Sequence, residues 1–190
     1  ESVQRLVSLQ YTYLHRVLAD LKEKGFSFFH PEELDVKTKA WLRHYFEEQI
    51  YPVVTPLAVD SGHPFPFLAN NTINAIVRIF QVQPDGTKDY KIAILPIPSV
   101  LDRIIEVPSS SNKVHRFVYL EDVISYYAIQ FFQGYGIEES MIFRLTRDAD
   151  LEIDEEDAKD LLTEVEASLR RRRRGDAVRL EVVAVSYTHL

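Results

Sequence analysis

The sequence predicts an α+β chain: an antiparallel helical hairpin followed by an α/β domain with a mixed or antiparallel sheet and two main helices. Three observations carry this reading. Apolar residues recur every three or four positions through the first fifty residues, and every second position after Asn70. Strands and helices then alternate to the C-terminus. Between the two regimes lies "YPVVTPLAVDSGHPFPFLAN", with Pro52, Pro56, Pro64 and Pro66 among apolar residues.

In the first helix Val3, Val7, Leu14, Val17 and Leu21 fall on steps of four and three, with Gln10 the one polar member. Leu6 and Leu18 widen the stripe, as in a bundle helix. Gly25 ends it. "FSFFHPEEL" reads as a connector, and Asp35 caps a second helix, "VKTKAWLRHYFEEQI". That helix points Leu42, Phe46 and Ile50 to one side and stops before Pro52. Two helices cannot bury both of their faces, so further helices are expected ahead of Glu1 in a longer parent chain.

The proline stretch reads as a rigid connector, since proline lowers the entropy of the unfolded chain. Phe65, Phe67 and Leu68 are its expected apolar anchors. A ligand-contacting loop through His63, Asn70 and Asn71 is the other reading, but no acid–base partner or phosphate-cradling glycine run accompanies them. "NAIVRIFQV" suits a strand buried on both faces. "QPDGTKDY" is a turn centred on Asp85-Gly86. "KIAILPI" is the partner strand, its end demoted to an edge by Pro96. "RIIEV" and "HRFVYL" are short strands, "EDVISYYAIQFFQ" is a helix ended by Gly134, and "MIFRLTRDADLEI" is a strand running into a turn. Residues 154–174 read as an amphipathic helix lined by Ala158, Leu161, Leu162, Val165 and Leu169. Its acids at the start and arginines at the end match the helix dipole. "AVRLEVVAV" is a last strand, with Val178, Leu180 and Val182 inward and Arg179 and Glu181 outward.

With 46% apolar residues among 190, the chain has enough for a sizeable core. No run approaches the roughly 18 apolar residues of a membrane span, and no signal-peptide pattern opens the given sequence. The absence of cysteine removes disulfides, thiol catalysis and Cys-type zinc sites. It fits a reducing cytoplasm, the expected location, with room for peripheral membrane association of a longer parent. A net charge of -7 argues against nucleic acid as a partner.

"YPVVTPLAVDSGHPFPFLANNTIN", "WLRHYFEEQIYPVVTPL", "RFVYLEDVI", "FRLTRDADLEI" and "AVRLEV" occur in this order. Together they resemble polyphosphate kinases of the phospho-histidine type, across nearly the whole chain. The resemblance implies an enzyme that reversibly moves the terminal phosphate of ATP onto polyphosphate, with magnesium and a phosphorylated histidine. It implies a division into the end of an N-terminal helical domain (1–51), a connector (52–70) and a head, or middle, domain (71–185) used in dimer contact. The family's catalytic histidine, its arginine and magnesium partners and most nucleotide contacts lie in two C-terminal, phospholipase-D-like domains. A nucleotide-contacting asparagine motif lies nearer the N-terminus. None maps onto this sequence, so no catalytic, cofactor-binding or metal residue is assigned here. ATP and Mg2+ are expected only in the full-length parent. Residues 186–190, "SYTHL", do not resemble the family and read as a foreign tail.

A search for chemistry independent of the family agrees. His15, His30, His44, His63, His115 and His189 form no i, i+4 metal pair. Gly134 and Gly136 make only a lone GxG. Asp148, Asp150, Glu152 and Asp154 alternate and invite a hard cation, yet acids are favoured there by the dipole of the following helix. Five consecutive arginines, 170–174, point to all sides of a helix; Arg171 and Arg173 are the candidates for gripping a polyanion. The expected role is therefore a non-catalytic scaffold and dimerisation module of a polyphosphate kinase, working with the C-terminal catalytic domains and polyphosphate. The alternatives are a free-standing protein- or polyanion-binding module, and a small metal-dependent hydrolase built on the acidic row.

Overall fold

A computed structural model describes residues 2–59, 65–109, 111, 113–148 and 175–183. Among them the elements in chain order are α1 (Ser2–Glu23), β1 (Phe26–Phe28), α2 (Val36–Tyr45), β2 (Leu57–Val59), β3 (Ile73–Val82), β4 (Lys88–Pro96), β5 (Ile104–Val107), β6 (His115–Tyr119), α3 (Leu120–Tyr126), β7 (Gly136–Arg147) and β8 (Ala177–Val183). They form two compact units. One joins residues 1–52 to 99–126; the other joins 53–98 to 127–190.

In the first unit α1 spans the heptad seam, and its described contacts run to β1. Much of the seam is open: Val3, Leu6, Leu14 and Val17 are exposed. Gly25 follows with φ +89°, a left-handed turn that L side chains resist. The expected connector then contributes two ordered pieces. Residues 26–28 form β1, parallel to β6 with Phe26 opposite His115 and Phe28 opposite Phe117. Residues 31–33 make a 3-10 turn closed by Glu33 N–H donating to the His30 carbonyl (3.0 Å). β5 completes a three-stranded sheet of order β1-β6-β5, antiparallel to β6. The strands read from "RIIEV" and "HRFVYL" thus share a sheet with residues 26–28, not with β3 and β4.

Asp35 caps α2 as expected, accepting from Thr38 N–H at 3.0 Å. After Tyr45 the helix widens for one turn, Phe46–Ile50, where Tyr51 N–H reaches the Phe46 carbonyl (2.8 Å) before Pro52 ends it. Leu42, Phe46 and Ile50 are fully buried. With Ile105, Val107, Val118, Val123 and Ile124 they supply the apolar interior between the sheet, α2 and α3. Burying three such side chains is worth about 5–9 kcal/mol before conformational entropy is charged. α3 is shorter than its sequence pattern: it ends at Tyr126, and a separate 3-10 turn follows over Ala128–Phe131.

The second unit is a five-stranded antiparallel sheet of order β2-β4-β3-β7-β8. The β3–β4 hairpin turns at Asp85-Gly86, with Gly86 at φ +83° and Asp85 accepting from Thr87 N–H (2.9 Å). β3 is buried on one face through Ala75, Val77 and Ile79. On the other, Ile76 packs on a cluster of Leu68, Ile94 and Phe143. Pro96 closes β4 opposite Asn74, beyond the stretch of β4 that β2 covers, so its missing N–H interrupts no ladder on that side.

Two expectations are corrected here. The proline stretch is not all connector: residues 57–59 are strand β2, and Leu68 is a core residue, whereas Phe65 and Phe67 are more than half exposed. In β8 Val178, Leu180 and Val182 are 63%, 60% and 47% exposed, while Glu181 is half-buried. β8 is an edge strand, and alternation gives its two faces without saying which is covered. Residues 154–174 lie outside the described residues, as do 186–190.

Candidate functional site

The polar residues of the first unit gather where residues 30–38 meet β6 and α3. Asp35 does more than cap α2. Its other oxygen accepts from Thr38 Oγ1 (2.8 Å) and from Arg116 Nη1 (2.9 Å), whose guanidinium also lies over the Phe29 ring. The Thr38 amide, and then Arg116, hold the Asp35 carboxyl well below the usual carboxylate range. On α3, Glu121 is buried and takes two donors from Arg103, Nε at 2.9 Å and Nη2. That pair raises the Arg103 guanidinium further. Its neighbour Asp122, 16% exposed, faces His30 Nδ1 at 3.4 Å. Burial pushes the Asp122 carboxyl up to about 6, against the pull of His30. Burial also raises Tyr119.

Beside this lies a row of rings on one face of the sheet. Phe26 stacks on His115 (4.8 Å between centroids), Phe28 on Tyr119 (5.1 Å), and Phe117 packs against both phenylalanines. His115 Nδ1 is 2.7 Å from Glu106 Oε1. A carboxylate-held imidazole is one part of general-base chemistry, here as a partly exposed cross-strand pair. It borders an open cleft of about 460 Å3 walled by Trp41, Val107, Pro108 and Val114. A second, mainly apolar hollow of about 270 Å3 lies between Leu18, Ala19 and Phe26–Phe29.

In the second unit the polar groups also act as ties. Asn70 Oδ1 accepts from Arg147 N–H (2.8 Å), and Asn71 N–H donates to the Leu145 carbonyl (2.9 Å) with Asn71 at φ +59°. The Arg147 guanidinium donates to the carbonyls of Leu68 (2.8 Å) and Gly175 (2.9 Å) and covers the Phe67 ring. Asn70 and Asn71, weighed by sequence as ligand contacts, therefore clasp the end of β7. Arg144 pairs with Glu181. Arg78 pairs with Glu138, which also accepts from Tyr90 Oη (2.9 Å) and raises that phenol.

Of the other sequence candidates, His15 and His44 sit on exposed helix surface. Gly134 turns the chain at φ +81°, and a Cβ at Gly136 would run into the Phe80 ring, so the lone GxG serves packing. Asp148 N–H donates to the Asp176 carbonyl (2.8 Å). Asp150, Glu152, Asp154, His63, His189, Arg171 and Arg173 fall outside the described residues. Among the described residues no three His, Asp or Glu side chains gather round one point. They offer no cage for magnesium, and no phosphate-transfer step is assigned to them. No helix among them is long and apolar enough to cross a membrane. Sequence reasoning weighed His30 only for a metal pair four residues away and missed Arg103, Glu121 and Asp122. Its only signal was a pair of acids opening a helix, which the dipole already explains.

Residues 37–189 match the family model described as the polyphosphate kinase middle domain. A polyphosphate kinase of Halalkalibacterium halodurans is 41% identical over 183 residues, covering 96% of this chain and 26% of the relative. One from Pseudomonas syringae pv. tomato is 39% identical over 192 residues, covering 100% of this chain and 26% of the relative. The crystal structure of polyphosphate kinase from Porphyromonas gingivalis superposes with a TM-score of 0.66 at 25% identity, over 76% of this chain and 24% of that one. The chain thus spans about a quarter of the length of the relatives it matches.

Proposed function

This chain belongs to the polyphosphate kinase family, and from that premise we propose that it is a scaffolding portion of such an enzyme: the end of a helical domain followed by a head domain used in dimer contact. The full-length protein in this reading transfers the terminal phosphate of ATP reversibly to polyphosphate through a phospho-histidine, with magnesium, in the cytoplasm. The catalytic groups belong to parts of the parent outside these 190 residues.

The observation that carries the scaffold role is how the charged side chains are spent. Arg103, Arg116, Arg144 and Arg147 each bind a carboxylate or a carbonyl of the same unit, and each joins segments far apart in sequence. Such groups hold elements in register. The open seam of α1 supports the helical-domain part of the reading, since an apolar stripe of that length asks for helical neighbours. Arg171 and Arg173 remain part of the proposal as polyanion contacts. Reversing both charges in a full-length enzyme weakens binding of long polyphosphate in a salt-sensitive manner; unchanged affinity at low salt removes that element.

The main test is direct. The 190-residue chain incubated with ATP, magnesium and polyphosphate forms no ADP. A chimera carrying it in place of the matching quarter of the Halalkalibacterium halodurans enzyme forms ADP and is dimeric by light scattering. Appreciable ADP from the isolated chain, or a phosphorylated histidine on it, overturns the proposal.

A further inference from the structure

We infer that β8 is a pairing edge for a second copy of this chain: two β8 strands lie antiparallel about Leu180 and carry the five-stranded sheet from one copy into the other. β8 is thereby the strand that makes the dimer contact proposed above, and its role rests on that reading. β8 comes last in the order β2-β4-β3-β7-β8, so its outer backbone groups meet no other strand among the described residues. Edges of this kind are ordinarily blunted by proline, lysine, a bulge or short length. β8 is seven residues long and holds neither proline nor lysine. Its one irregularity comes early, between Ala177 and Arg179, and Arg179 to Val183 pair regularly with β7. The apolar stripe on this face is also unfinished. Val182 stands opposite Phe143, a member of the cluster around Leu68, and Leu180 stands opposite Leu145, which packs against that cluster. Phe143 is buried, whereas Leu180 and Val182, one strand further out, are 60% and 47% exposed.

The order of residues along β8 makes it complementary to itself. In an antiparallel pair centred on Leu180, that residue faces its own copy, and Arg179 of each strand faces Glu181 of the other. Opposite charges directly across a ladder attract and like charges repel. Moving the centre by one residue loses this. Centred on Arg179, two arginines oppose each other; centred on Glu181, two glutamates do. Charge therefore selects the register, which the backbone alone leaves open. Within one copy Glu181 takes Arg144 of β7, Nε to Oε2 at 2.8 Å, and Arg179 of its own strand at 3.0 Å. Pairing keeps the Arg144 bond and turns Arg179 outward to Glu181 of the second copy, so each acid lies between two arginines. On the opposite face the two Leu180 side chains cover each other and extend the apolar stripe across the seam.

The test uses the full 190-residue chain, which has no cysteine. Sedimentation velocity over a range of concentrations shows a monomer–dimer equilibrium, a weak one because a single strand edge buries little area. Leu180→Lys sets two ammonium groups face to face and weakens the pairing at least about tenfold. The leucine is exposed, so the fold does not depend on it. Arg179→Glu and Glu181→Arg each weaken self-pairing in the same way, yet the two variants mixed together pair again, because each then meets its opposite charge. Leu180→Cys closes a disulfide between copies under copper-catalysed air oxidation, both thiol hydrogens passing to oxygen. Val182→Cys does not, since its two thiols lie four residues out of register, about 14 Å apart. A dimer that Leu180→Lys leaves intact, or that cross-links equally through both cysteines, overturns the edge pairing while the dimer reading stands. A chain that stays monomeric at every concentration, as when another segment of the same chain covers the edge, overturns the pairing too. The scaffold reading fails on a separate readout, ADP formed by the isolated chain.

Discussion

Replacing Gly25 by alanine tests whether the junction between α1 and β1 is set by backbone geometry. Gly25 has φ +89°, and its carbonyl accepts from His115 N–H (2.8 Å), the bond that starts the parallel β1–β6 pairing. Two costs follow. An L residue at this φ costs about 1 kcal/mol relative to glycine. The new methyl would also meet the carbonyl oxygen of Lys113, a backbone atom that cannot rotate away, on the strand side of the junction. Forcing β6 to give way resembles overpacking, about 1–3 kcal/mol. The sum is about 2–4 kcal/mol. Gly86 supplies the control: it has nearly the same φ, +83°, but open space where the methyl would go. Gly86→Ala therefore carries the strain alone, about 1 kcal/mol. Trp41 is the single tryptophan and lies in α2, so urea unfolding followed by its fluorescence reports the first unit. With a slope of about 2 kcal/mol per molar, Gly25→Ala lowers its midpoint by about 1–2 M. Gly86→Ala leaves that midpoint in place and weakens only the unit read by circular dichroism of the sheet. Equal losses from the two substitutions would refute the steric half of the argument. A loss of under about 1 kcal/mol at Gly25 would refute both halves.

Phe46→Ala empties a fully buried site at the widened turn of α2 and costs about 3–5 kcal/mol in the same urea experiment. Arg103→Met leaves the buried Glu121 carboxylate without its cation. Because the arginine is more than half exposed, the loss is about 1–3 kcal/mol, and Glu121→Gln in the same chain restores part of it. Stability of the first unit also depends on pH in two opposed ways. Asp122 sits at about 6 when folded against 3.8 unfolded, so its contribution is complete below 3.8 and is lost as pH rises through 6, by at most about 3 kcal/mol. Asp35 is held low, so its contribution is present above its ordinary value and lost in strong acid. Urea midpoints at pH 5 and pH 7.5 separate them: Asp122→Asn flattens this interval, and Arg116→Gln moves only the acid limb.

Local signals of the sequence survive folding where the partner is local. Asp35 caps α2 because the amide it serves is three residues away, and Leu42, Phe46 and Ile50 share a helix face by spacing alone. The β3–β4 hairpin was equally legible, since Asp85-Gly86 fixes the turn and the turn fixes the register. β1 was not. Three residues carry no readable period, and parallel pairing needs a partner brought back over a long excursion of chain, here β6. β8 shows the complementary gap. Its alternation was read correctly as a strand, but the covered side depends on what lies across the sheet, and Val178, Leu180 and Val182 turned out exposed.

The same distinction explains why the charged cluster escaped notice. No histidine has a second histidine four residues away, where a helix would bring the two together. Folding places carboxylates beside two of them instead: Asp122 near His30 across the chain, and Glu106 against His115 across two strands. Among the described residues His15 and His44 stay on exposed helix surface. Glu121 and Asp122 open a helix, and the dipole accounts for acids there wherever they are solvated. Burial changes what they need. An exposed acid at that position asks for nothing more, whereas a buried one asks for a cation of its own. Here Glu121 is buried and takes both bonded nitrogens of Arg103, whereas Asp122 is half-buried, feels Arg103 without a direct bond and has His30 Nδ1 at 3.4 Å.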